Sequence, residues 1–194
     1  MKKISLNLLA LASLVLLLAS CSGKVEEPKV QDMAGDLSDL PSWVLSPQSD
    51  EGVTAVGIAA PSRGGIQFQI PKAELDGKAN IASEIQSKIS RLTKSSLRSA
   101  GVNENEDVES FFAQATKEVV KDLPMSGVRR INTYRAKDGT LYVQMLLSNK
   151  DYTAFIENGQ KTFESMLKGS NLGQNNIEKT QEATKALFDE LDNQ

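Results

Sequence analysis

Apolar residues change their spacing several times along this chain, and each change predicts an element. From Leu6 to Leu18 they run almost without a break. Residues 22–41 are polar, contain Pro28 and Gly35 and hold no period, as expected of a tether. Residues 52–60 (GVTAVGIAA) are a short apolar run bracketed by turn residues, which predicts a largely buried strand. Beyond the break at Pro61-Ser62-Arg63-Gly64-Gly65, Ile66, Phe68 and Ile70 alternate with Gln67 and Gln69, predicting a second, half-exposed strand over 65–70. The period then lengthens. Leu75, Ala79, Ala82, Ile85, Ile89, Leu92 and Ser96 recur at three and four, predicting one helix over 72–99 with this stripe buried. Pro71 falls in its first turn and Gly101 at its C-terminal cap.

A second helix is expected over 103–123, with Val108, Phe111, Phe112, Ala115, Val119 and Val120 inward and Pro124 as its stop. Asn105, Glu106, Asp107 and Glu109 place a cap and negative charge at its start, where the helix dipole favours them. Their spacing is not that of a calcium-binding loop. Asp138-Gly139 is a hairpin signal between strand-like flanks. Pairing Lys137 with Thr140 sets Tyr134 opposite Val143 and Arg135 opposite Tyr142. Leu141, Val143, Met145 and Leu147 then face the core with Tyr134 and Ala136. The other face carries Arg129, Ile131, Thr133, Arg135, Tyr142, Gln144 and Leu146, a mixture that is either partly covered or a contact surface. A helix over 149–168 follows, with Gly159 in its interior, and a last amphipathic helix over 176–191 is left to dock on the domain, pair with a neighbour or remain semi-ordered. Strand, strand, helix, helix, hairpin, helix is an α+β order. The expected fold is a small antiparallel sheet with amphipathic helices packed on one face, plus a C-terminal helical appendage.

The apolar run near the start has its own chemistry. It follows Lys2 and Lys3, is too short to span a bilayer comfortably, and ends in small residues, as secretory leaders do. It closes on Leu18-Ala19-Ser20-Cys21, which resembles the bacterial lipobox. That resemblance implies cleavage between Ser20 and Cys21 and acylation of Cys21, which would become the first residue and the membrane anchor. Ser22 in place of aspartate implies transfer to the outer membrane. The division expected is a signal peptide over 1–20, a lipidated N-terminus and tether over 21–41, a globular domain over 42–168 and a C-terminal loop and helix over 169–194.

Charge and absences narrow the function. Without Lys2 and Lys3 the chain has 20 basic against 25 acidic residues, a balance of −5 and not a nucleic-acid footprint. Cys21 is the single cysteine and there is no histidine, so Ser-His-Asp and Cys-His catalysis, His-ligated zinc and disulfides are excluded. Ser165-Met166-Leu167-Lys168 fits Ser-x-x-Lys, but its companion motifs are missing. No enzymatic activity, cofactor or metal is expected.

Pro41-Ser42-Trp43-Val44, the Val56-Gly57-Ile58-Ala59 strand, the Ala-rich helix with Ala73, Ala79, Ala82 and Glu84-Ile85, and Asp138-Gly139-Thr140-Leu141-Tyr142-Val143 follow the lipobox in that order. Together they resemble the FlgP-like small outer-membrane lipoproteins, a group that includes the twenty-kilodalton surface lipoprotein antigen. The likeness spans residues 41–150, and Asp76-Gly77-Lys78 departs from the regular Ala-Arg-rich run such a helix would carry. It implies a non-catalytic, lipid-anchored outer-membrane protein that self-associates or docks on an envelope assembly, in one branch a disc at the flagellar base that supports motility. The surface expected to make that contact is Ile131, Arg135, Tyr142 and Leu146 on the outward hairpin face. The other reading is a periplasmic or surface binding module for peptidoglycan, glycan or a small ligand, placed at Trp43 or around Arg135 and Tyr142.

Overall fold

The structure, a computed structural model, describes residues 39–192. The leader, Ser20, Cys21 and most of the tether lie outside the described residues.

A short helix α1 (Ser42–Leu45) leads into β1 (Gly52–Ala59), the long helix α2 (Ile66–Ser99) and α3 (Glu106–Lys121). The hairpin β2 (Arg129–Arg135) and β3 (Leu141–Ser148) follows, then α4 (Asn149–Lys168) and α5 (Gln174–Asp192). The three strands form one antiparallel sheet in the order β1-β3-β2. Helices α2 and α4 pack on one face of that sheet, and α3 and α5 pack on those helices. The architecture is therefore the expected α+β class.

Two sequence expectations are corrected at the start of α2. Residues 65–70 are not a strand: the helix begins at Ile66, and Pro71 sits inside it, where it has no N–H for the Gln67 carbonyl. The alternation misled because its apolar members are not the buried ones. Ile66 and Phe68 are exposed, while Gln69 is fully buried. Its amide Nε2 donates to the carbonyls of Ala60 (3.0 Å) and Gly139 (2.9 Å), tying the first turn of α2 to the end of β1 and to the hairpin tip.

The buried row of α2 also differs from the expected stripe. It runs Ala73, Gly77, Ile81, Ile85, Ile89, Thr93, Leu97, every fourth residue, so it winds around the helix. Four residues turn a helix 40° past a full circle, and such rows are inclined to the axis. The first half of α2 consequently faces the sheet and the second half faces α3 and α5. Leu75 and Ala79, expected inside, are exposed.

Near Gly77 the helix lies almost against the strand backbone. A Cβ on Gly57 would sit 1.9 Å from the Ala73 carbonyl oxygen, and one on Gly77 would sit 2.5 Å from Met145 Cγ. The Asp76-Gly77-Lys78 sequence that breaks the Ala-rich pattern is thus what permits the contact. Its neighbours close the free edge of β1: Ile58 N–H donates to Asp76 Oδ2 and Asn80 Nδ2 to the Val56 carbonyl, both at 2.8 Å.

In the second layer, Phe163 of α4 meets Phe112 and Phe188 edge-on, with ring centres 5.4 and 5.3 Å apart. Gly159 is the point where α4 admits its neighbours, since a Cβ there would lie 2.9 Å from Val119. Helix α5 buries Ala183, Leu187, Phe188 and Leu191 and packs on α2 and α4. Of the three fates open to the last helix, docking is the one observed, and the folded unit continues past residue 168. The expected cap at Asn105 is present, its side chain accepting from Val108 N–H, and the Ser148 side chain accepts in the same way from Asp151 N–H.

Candidate functional site: the outer face of the sheet

The hairpin tip decides what this face presents. Ala136 N–H donates to the Thr140 carbonyl and Gly139 N–H to that of Ala136, so the loop is three residues long, Lys137 to Gly139. Gly139 takes φ +87°, the left-handed position such loops require. Asp138 accepts from Thr140 N–H and hydroxyl, and those bonds hold its carboxyl below the usual range.

The extra loop residue shifts the expected register by one. Tyr134 stands opposite Tyr142, and Arg135 opposite Leu141. A bulge at Ile131, between Arg130 and Asn132, resets the pairing further along. Leu141, Val143, Met145 and Leu147 face the helices as expected, but Tyr134 lies on the outer side, its ring 6.3 Å from that of Tyr142.

The four residues expected to form a contact surface are therefore not brought together. Tyr142 is half-buried on the outer face and Ile131 half-buried in the bulge. Arg135 is exposed and shares its register position with inward Leu141. Leu146 is fully buried. It lies outside the core between sheet and helices, so it is covered from the other side.

The cover is the chain's own N-terminal segment. Tyr134 Oη donates to the Asp39 carbonyl (2.9 Å), and Lys137 Nζ lies 2.5 Å from the Asp39 carboxylate. Asp39 holds the Lys137 ammonium above its ordinary range. Further along, the Thr54 hydroxyl donates to the Pro47 carbonyl, and α1, with half-buried Trp43, sits beside β3. Beneath this strap Gln144 is only 2 % exposed, its amide oxygen taken by Asn132 Nδ2 at 2.8 Å. The mixed face is thus a second, minor core. Sequence reading missed the strap because residues 39–47 carry no period; Pro41-Ser42-Trp43-Val44 was the available signal.

The edge strand β2 stays open but unwelcoming to another strand, with Arg129, Arg130 and Arg135 along it and a bulge inside it. Arg129 pairs with Glu51 (3.0 Å) and Arg130 with Glu74 (3.2 Å). Among the described residues no group of three or more His, Cys, Asp or Glu could hold a metal ion, and no helix is long and apolar enough to cross a membrane.

No protein-family model matches this chain, and no curated protein does either.

Concavities also lie on the helical side. A groove of about 650 Å³ lies between the second half of α2 and α3, with Leu97, Phe112 and Val120 in its floor and Lys94, Lys117 and Glu109 on its rim. The hydroxyls of Thr93 and Thr116 line it and are buried with no protein partner. A cleft of about 400 Å³ lies between α4 and α5, with Gln160, Glu164, Lys168, Gln181 and Lys185 among its polar groups. Lys168 is the lysine of the Ser-x-x-Lys match, whereas its serine, Ser165, is not among the residues lining this cleft.

Proposed function

We propose that this is a lipid-anchored structural protein of the outer membrane, held through Cys21, whose folded unit self-associates or docks on an envelope assembly. The observation that carries the reading is Leu18-Ala19-Ser20-Cys21 at the end of a basic-then-apolar leader. What supports a role in contact is that polar side chains close a strand edge and tie the strap to the hairpin, holding one firm folded unit. The FlgP-like resemblance adds a flagellar basal structure supporting motility as one home for such a protein. In the full chain, Cys21→Ser abolishes palmitate incorporation and moves the protein out of the membrane fraction. Label and membrane association retained in that variant refute the anchor.

The second reading, a module binding peptidoglycan, glycan or a small ligand, is favoured by the polar cleft between α4 and α5 rather than by Trp43 or Tyr142, which belong to the strap and the face under it. Sacculus pulldown compared between the wild type and Gln181→Ala separates the two readings.

A further inference from the structure

The apolar spacing read from the sequence of α2 is real, yet the fold leaves its first half uncovered. Phe68, Lys72, Leu75, Ala79, Ala82 and Gln86 follow one another at alternating steps of four and three, the seam of a coiled coil. Phe68 is 56 % and Leu75 71 % exposed, and Ala79 and Gln86 are exposed as well. The same seam continues to Thr93 and enters the groove between α2 and α3. One face of one helix therefore carries a ridge at its start and a groove at its end, with small alanines between. Such a face is complementary to itself when turned end for end.

We infer that a second copy of the chain sits on this face, with the two α2 helices antiparallel and the Phe68–Leu75 ridge of each entering the groove of the other. The inference deepens the self-association proposed above and rests on that reading. Charge agrees with it. Asp76 and Lys94 lie equally far from Ile85, on the same flank of the helix, so an antiparallel two-fold arrangement brings each to the other's level. Lys94 and Lys117 have no ion pair among the described residues. A lipid surface fits less well. Membrane-surface helices are rich in Lys and Arg, whereas residues 66–83 carry Lys72 and Lys78 against Glu74 and Asp76.

Residues 22–194 contain the whole folded unit and no cysteine, once Cys21 is left out. Light scattering after size exclusion should give a dimer mass or a multiple of it. Leu75→Glu, on an exposed position, should weaken association by roughly 30-fold or more while circular dichroism stays unchanged. Gln86→Cys, beside the proposed axis, should join two chains with a short bismaleimide, and exposed Glu157→Cys should not. A wild type that stays monomeric at every concentration overturns self-association and this surface together. Assembly that survives Leu75→Glu, or no cross-link at Gln86→Cys, removes the surface and leaves self-association standing. Flotation with phosphatidylcholine vesicles that Leu75→Glu abolishes would assign the ridge to lipid and overturn the inference.

Discussion

The two halves of α2 are held by opposite means. Its first half meets the sheet where side chains are missing: Gly57 and Gly77 let backbone approach backbone, and Asp76 and Asn80 bond to the strand edge. Its second half belongs to a layer filled by large side chains, Ile85, Ile89 and Leu97 from the helix itself and the Phe111, Phe112, Phe163 and Phe188 rings beyond. Burial in the second half follows hydrophobicity, at roughly 25 cal/mol per Å² of apolar surface. Burial in the first half follows the absence of bulk. A helix can therefore be pressed hardest against its neighbour where it looks least hydrophobic, and the apolar residues displaced from that contact face outward.

The largest effect expected from breaking this contrast is at Gly57. Even Gly57→Ala sets a methyl against the Ala73 carbonyl and the Gly77 backbone, which cannot rotate away as a side chain could. The helix must retreat from the strand, and we expect a loss of about 3–5 kcal/mol in urea unfolding, at the severe end for overpacking. An unchanged midpoint would mean that the strand and helix do not cross so closely.

The junction of the halves offers a smaller, pH-dependent test. Lys88, midway along α2, places its ammonium 5.2 Å from the Tyr152 ring centre. Burial, then the charges of Asp192 and Glu84, push the Tyr152 hydroxyl up to about 12. An unfolded tyrosine ionises near 10, so between pH 10 and 12 the unfolded chain has lost a proton that the fold still keeps. This contribution to stability is whole below pH 10 and is lost as pH rises through 12, by about 2–3 kcal/mol. Burial lowers the Lys88 ammonium, which works in the reverse direction over its own range. Tyr152→Phe removes the tyrosine effect alone, so its stability should fall less steeply from pH 10 to 12 than that of the wild type. Parallel pH profiles would show that Tyr152 does not keep its proton in the fold.

Much of this was legible in the residues. The apolar run of β1, the cap at Asn105, the hairpin signal and the inward face of β3 each follow from a local rule that the fold does not override. What was not legible depends on distant partners. The start of α2 is decided by the bonds of Gln69 to Ala60 and Gly139, although its own sequence alternates like a strand. The hairpin register turns on one extra loop residue, and that single step moved Tyr134 to the other face. Leu146 looked like an interface residue because nothing in a period-free stretch announced that residues 39–47 fold back over it. The stripe on α2 was legible as a pattern but not as an address, since a spacing of three and four does not say which neighbour uses it.

The smallest effect expected is the one that separates pattern from burial most cleanly. Leu75 and Ile85 belong to the same apolar spacing, but Leu75 is 71 % exposed and Ile85 1 %. Ile85→Ala should cost about 2–5 kcal/mol, as losses in a packed core do. Leu75→Ala should stay within about 0.5 kcal/mol when unfolding is measured at high dilution, where only the single chain's stability is read. Raising the protein concentration then sharpens the comparison. If a second copy covers this face, association adds stability to the wild type by mass action, and its midpoint climbs with concentration. The Leu75→Ala midpoint should climb less, while Ile85→Ala should keep the wild-type slope from a lower start. Equal slopes in all three would leave Leu75 an ordinary solvent-facing leucine, with its place in the repeat owed to helix propensity alone.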